Sequence, residues 1–318
     1  MIESNLEFPK RDFERIKLEE YSAWYSGDPT ILANYYSSLL AQNILGLNYS
    51  LSWDLFWARQ IKNESEIGLH VPVAGDISSL SADLLFSESP IIRISEAYEE
   101  NANKSYIYTQ SELDELLYDN GFYQKILECA ETCSAMGGGY IKIAWDSDVS
   151  KYPLLVVEQV DNAMPEFKFG ILTQVKFWSI IKQDKNNTYR LFEIYANNGT
   201  ITYELYRGTD SKLGIMVDLY SIDETQNYTN IDLGVNYLLA VYIPNILPNR
   251  LKRGSCLGRS DYCGLEGLMD SLDETYSSWM RDIAISQGKI LVPSEYLSKN
   301  ENGFRYNLDR MVYAQLDI

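Results

Sequence analysis

The stretch SAMGGGYIKIAWD, residues 134–146, decides how the chain is organised. Before it, apolar residues recur every three or four positions; after it, they alternate. Leu113, Leu116, Leu117, Ile126, Leu127, Ala130 and Cys133 predict a helix over 110–136, opened by a capping box at Thr109–Glu112. The three glycines then stop it, and Tyr140 begins a strand. A phosphate-cradling loop needs strand, glycines and helix in that order, so here the glycines read as a helix stop and close-packed turn.

Outward from this hinge, period-two segments rich in β-branched and aromatic residues run from 140 to 245, and Asn198-Gly199 marks a tight hairpin between two of them. These predict antiparallel strands. On the N-terminal side, Ile31, Leu32, Tyr35, Tyr36, Leu39 and Leu40 give a helical arm within 10–60, with Asp28-Pro29 as cap and first-turn proline. Ile77, Leu80, Leu84 and Leu85 fit a helix over 75–88, stopped by Pro90 and followed by an extended IIRI.

Past 243 a linker to about 259 carries the one local basic cluster, Arg250, Lys252, Arg253 and Arg259, read as a solvated connection, with contact to an acidic partner or DNA as the alternative. The longest helix is predicted from Ser260 to about Ser286. Its apolar stripe, Leu265, Leu268, Met269, Leu272, Tyr276, Trp279, Met280 and Ile283, is expected to be its packing face. Asp270, Asp273, Glu274 and Asp282 stand on the other faces. KILVP and RMVYAQLDI read as short strands, the second with an open edge.

Composition narrows the function. A formal charge of −18 opposes gripping nucleic acid, because phosphate contacts need Lys and Arg. No signal peptide or membrane span is visible. Cys129, Cys133, Cys256 and Cys263 lack zinc-ribbon spacing and read as buried free thiols. The one histidine, His70, precludes a two-histidine metal site; beside Val71 and Pro72 it reads as a packed side chain bonded through a ring nitrogen. Neither a catalytic centre nor a cofactor site emerges.

Five segments, in order, resemble the portal proteins of tailed bacteriophages. The first, EEYSAWYSGDPTILANYY (19–36), is similar to their opening helix. Next comes a His-x-Pro-x-Ala turn leading to A-x-L-L-F-x-E-x-P, through His70, Pro72, Ala74, Ala82, Leu84, Leu85, Phe86, Glu88 and Pro90. FEIYANNGTITYELYRG (192–208) resembles their wing strands. GRSDYCGLEGLMDSLDETYSSWMRDI (258–283) resembles their stem helix, and GKILVPSEYL (288–297) the start of the clip.

The resemblance implies an α+β chain: helical arm 1–60, β-rich wing 61–245, linker and stem 246–287, and the start of a small α/β clip 288–318, without the C-terminal part that such portals have. It implies a non-enzymatic homo-oligomeric ring of about twelve subunits, a dodecamer, at a capsid vertex of the virion. That ring is assembled in the host cytoplasm with capsid and scaffolding proteins. Terminase docks on it first, head-completion and head–tail adaptor proteins later, and double-stranded DNA slides loosely through. Asp270, Asp273, Glu274 and Asp282 are channel candidates; Leu265, Leu268, Leu272, Tyr276, Trp279 and Ile283 are stem-packing candidates. The competing readings are a minor capsid or head adaptor protein, and a hydrolase using His70.

Overall fold

The computed structural model describes residues 7–43, 55–60, 68–94, 109–145, 149–286, 290–292, 299–300, 303–304 and 312–314. The chain divides into two compact units, Met1–Gly27 with Pro72–Gly264, and Asp28–Val71 with Leu265–Ile318. It mixes helix with mostly antiparallel sheet, as expected of an α+β chain.

In the first unit α1 spans Phe13–Tyr25, with the Asp12 carboxylate accepting from the Arg15 backbone N–H. Three more helices of this unit are α4 (Val73–Phe86), α5 (Gln110–Asp119) and α6 (Phe122–Met136). The capping box at Thr109 and Glu112 is present.

The single helix expected over 110–136 is two. Gly121 stands at φ 57, and the Asn120 side chain breaks the run by donating to the Leu116 and Pro153 carbonyls and accepting from the Leu155 N–H. The Lys125 ammonium donates to the Leu155 carbonyl. Together Asn120 and Lys125 occupy backbone groups of an edge strand that would otherwise invite pairing.

On α4 the buried face differs from the expected one. Ala74, Ser78 and Ala82 are buried, while Leu80, Leu84 and Leu85 are exposed, Leu84 at 73%. Small side chains allow α4 close approach to α6 and turn the large leucines outward. The IIRI segment that follows joins no sheet.

At the glycines, Gly137 ends α6 at φ 88, where a Cβ would meet the Arg259 backbone at 2.8 Å. The turn needs glycine for both reasons. β1 (Gly138–Ala144) is then the centre of a three-stranded sheet with β2 (Leu154–Gln159) and β9 (Ala240–Pro244). The second sheet runs β3 (Ala163–Lys168), β4 (Ile171–Gln183), β5 (Thr188–Ala196), β6 (Thr200–Thr209), β7 (Lys212–Val217), with β8 (Ile231–Asp232) also pairing β6. The Asn198-Gly199 turn joins β5 to β6, with Gly199 at φ 74.

Alternation along β5 covers both faces of this sheet. Tyr195 joins Tyr140, Val175, Phe177, Ile201, Leu239 and Ala240 in one core, between the two sheets. Phe192 and Ile194 join Phe8, Tyr206 and Leu213 in another. Each fully buried side chain of this size contributes about 1.5–3 kcal/mol.

Lys142 is buried, its ammonium 2.8 Å from Glu158 and 2.7 Å from Glu193, and 4.9 Å from the Phe177 ring centre. Arg190, also buried, donates to the Thr209, Asp210 and Lys212 carbonyls and fixes the β6–β7 turn. Cys129 and Cys133 are buried free thiols 3.9 Å apart, whereas Cys256 and Cys263 are only partly buried. Of the basic cluster, Lys252 is paired with Glu14.

In the second unit Pro29 opens α2 (Pro29–Asn43), with Asp28 accepting from the Thr30 N–H at 2.7 Å. The rest of the expected arm contributes α3 (Phe56–Arg59), while 44–54 lie outside the described residues. The long helix, α7, is Glu266–Ser286, six residues shorter than expected at its start because Gly264 holds φ 90. The two late segments meet as a parallel pair, β10 (Ile290–Val292) with β13 (Val312–Ala314). Lys299–Asn300, β11, pairs with Gly303–Phe304, β12. The other residues of KILVPSEYL and RMVYAQLDI lie outside the described ones.

Candidate functional site

The second unit is organised around α7, whose inward face carries carboxylates rather than leucines. Asp270 accepts the backbone N–H groups of Phe56 at 2.8 Å and Trp57 at 3.1 Å, one with each oxygen. These are orphan donors at the start of α3, and an anion is favoured there. Burial, opposed by those two hydrogen bonds, raises the Asp270 pKa above the ordinary carboxylate value.

One turn on, Asp273 gathers three groups. One oxygen accepts the Trp57 indole N–H at 3.0 Å and lies 2.7 Å from His70 Nδ1; the other accepts the Val71 N–H at 2.9 Å. The side chains of His70 and Asp273 are 2% and 1% exposed. Ser277 accepts the Leu69 N–H at 2.9 Å, and Glu274 pairs with Arg59 at the surface. Positions 270, 273, 274 and 277 thus form one helical stripe that fastens 56–59 and 69–71 to α7.

His70 is therefore a packed histidine bonded through a ring nitrogen. Among the described residues no group of three or more His, Cys, Asp or Glu is placed to hold a metal ion, and no helix is long and apolar enough to cross a membrane.

Burial within the single chain bears on two expectations for α7. Asp270 and Asp273 are buried, so they cannot present charge to an open channel; their carboxylates satisfy backbone and ring donors instead. Glu274 is half-exposed and Asp282 exposed. The supposed packing stripe is turned outward: Leu265, Leu268, Leu272, Trp279, Met280 and Ile283 are exposed, Leu268 at 69% and Trp279 at 62%, and Tyr276 is partly buried. Of the expected stripe, Met269 is buried. Sequence reasoning missed Phe56 and Trp57, the partners of both carboxylates; the available signal was the polar 270, 273, 277 spacing on a helix.

α7 is thus held by polar groups on one side and shows an apolar stripe on the other, a kind of surface that commonly marks protein–protein contacts. A protein-family model matches residues 8–315, and the chain belongs to that family, described as Phage portal protein, SPP1 Gp6-like. The family is a structural one. This agrees with the resemblance carried by the five sequence segments. No curated protein matches the chain.

Proposed function

We propose that the chain is the repeating subunit of a portal ring at a capsid vertex of a tailed phage, through which double-stranded DNA enters and leaves. Family membership over 8–315 carries this reading. In it, residues 61–245 are the wing, 246–287 the linker and stem, and 288–318 begin the clip, where terminase and later head-completion proteins dock. The exposed stripe of α7 supports it, since an apolar face of this length calls for a protein neighbour, and a second copy of α7 or of its surroundings supplies one.

Charge supports it as well. A formal −18 per subunit, repeated around a ring, gives a wall that duplex DNA does not grip, so the genome slides. Glu274 and Asp282 are the remaining stem candidates for a channel-facing role. Native mass spectrometry and electron microscopy of the full chain test the proposal: closed rings with a central hole are expected, and a monomer at micromolar concentration contradicts it.

A further inference from the structure

The first unit carries both halves of a contact that it does not make with itself. One half is the tip of the β3–β4 hairpin, where Phe169 and Gly170 turn the chain. Phe169 has φ 53, the one non-glycine residue in the left-handed region among the described residues. A two-residue hairpin turn of this kind needs φ > 0 at both central positions, and here Phe169 fills one where Asn or Asp is the usual choice, a costlier fit for a residue with a bulky side chain. Its ring is fully exposed, at 105%, and Ile171 beside it is 69% exposed. Strain and an exposed aromatic ring coincide at one residue.

The other half is a cavity of about 350 Å³, near the lower end of the roughly 300–1,000 Å³ of ligand pockets. Phe8, Leu18, Tyr140, Met164, Trp178 and Leu257 give it apolar walls. Of the cations in its lining, Arg15 pairs with Glu19, Lys17 with Glu20 and Lys252 with Glu14, while Lys10 and Arg259 also line it. An apolar occupant suits it better than a charged one. Lys168, next to Phe169, would meet the rim carboxylates Glu7 and Asp12.

We propose that Phe169 of one copy inserts into this cavity of the adjacent copy, so that the ring closes through a repeated knob-and-hole contact. The inference rests on the ring reading above. A contact between two different patches of one chain is head-to-tail and makes a ring when the rotation closes. If the contact closes a ring, the spacing of its two halves sets the size of that ring. Met164 in the cavity wall and Phe169 lie on one hairpin, about 17 Å apart at ~3.3 Å per residue. In a closed ring that spacing is the chord between neighbours, which for about twelve copies corresponds to a radius of about 33 Å.

The test places a photo-crosslinking phenylalanine analogue at position 169 of the full chain and mixes light with ¹⁵N-labelled copies before assembly. Light-to-heavy crosslinks from 169 to residues 7–21 or 249–259 are expected. Phe169→Ala should raise the concentration needed for ring formation about tenfold or more, with Phe169→Leu largely restoring it. Rings that form while 169 crosslinks elsewhere or nowhere, or Phe169→Ala rings at unchanged concentration, overturn the inference and leave the portal reading standing. Absence of rings from the unmodified chain overturns both.

Discussion

Helices α6 and α7 bury opposite kinds of residue. On α6 the inward positions are Cys129, Thr132, Cys133, Ser134, Ala135 and Met136, mostly small or sulfur-bearing and packed against α4 and the sheet that follows. On α7 they are Met269, Asp270 and Asp273, while leucines and Trp279 face out. Both sequences show apolar residues at helical spacing, yet only α6 uses that face within its own unit. The difference separates a helix whose apolar face completes its own unit from one whose apolar face stays exposed in the single chain.

The largest effect expected from breaking this contrast is at Asp273. Asp273→Ala leaves the Trp57 indole, the Val71 N–H and His70 without their shared acceptor and should cost about 3–5 kcal/mol in urea unfolding. Glu274→Ala, one residue away in an exposed pair, should cost under about 1 kcal/mol. Equal losses at the two sites would erase the distinction between a buried polar stripe and a surface pair.

Lys142 extends the comparison to the first unit, where the buried charge is a cation between sheets. Lys142→Ala should cost about 2–3 kcal/mol, less than Asp273→Ala, because Glu158 and Glu193 keep about a quarter of their side-chain surface in water. A loss larger than that of Asp273→Ala would place the more demanding buried charge in the sheet.

A smaller effect concerns pH. Asp270 binds its proton more tightly folded than unfolded, so its contribution to stability declines as pH rises from the unfolded value near ~4 through the raised folded one. Asp270→Asn should lower the whole stability curve, since an amide offers one acceptor where two are used, and flatten that decline. A steeper fall with pH in the variant would mean that burial does not control this carboxylate.

Much of the architecture was legible in the sequence because local signals agreed with tertiary context. The Gly137–Gly139 turn, the Thr109–Glu112 box, the Asn198-Gly199 hairpin and the Asp28-Pro29 start all appear where expected. Packing faces were less legible. Periodicity shows that α4 and α7 have apolar stripes but not whether a stripe meets this chain or another. On α4, Ala74, Ser78 and Ala82 won the inward side by allowing close approach. On α7, two aspartates won it because Phe56, Trp57, His70 and Val71, more than 200 positions away, bring donors to them. The Asn120 break was hidden for the same reason, since its partners Pro153 and Leu155 lie 33 and 35 positions on, beyond α6 and β1.

The exposed stripe itself is the most direct test. Leu272→Ala and Trp279→Ala, measured in parallel by urea unfolding of the dissociated chain and by native mass spectrometry of its assembly, should change chain stability by no more than about 0.5 kcal/mol while markedly weakening ring formation. A loss of several kcal/mol from the single chain, or rings that assemble as readily as before, would show that this face does not serve assembly.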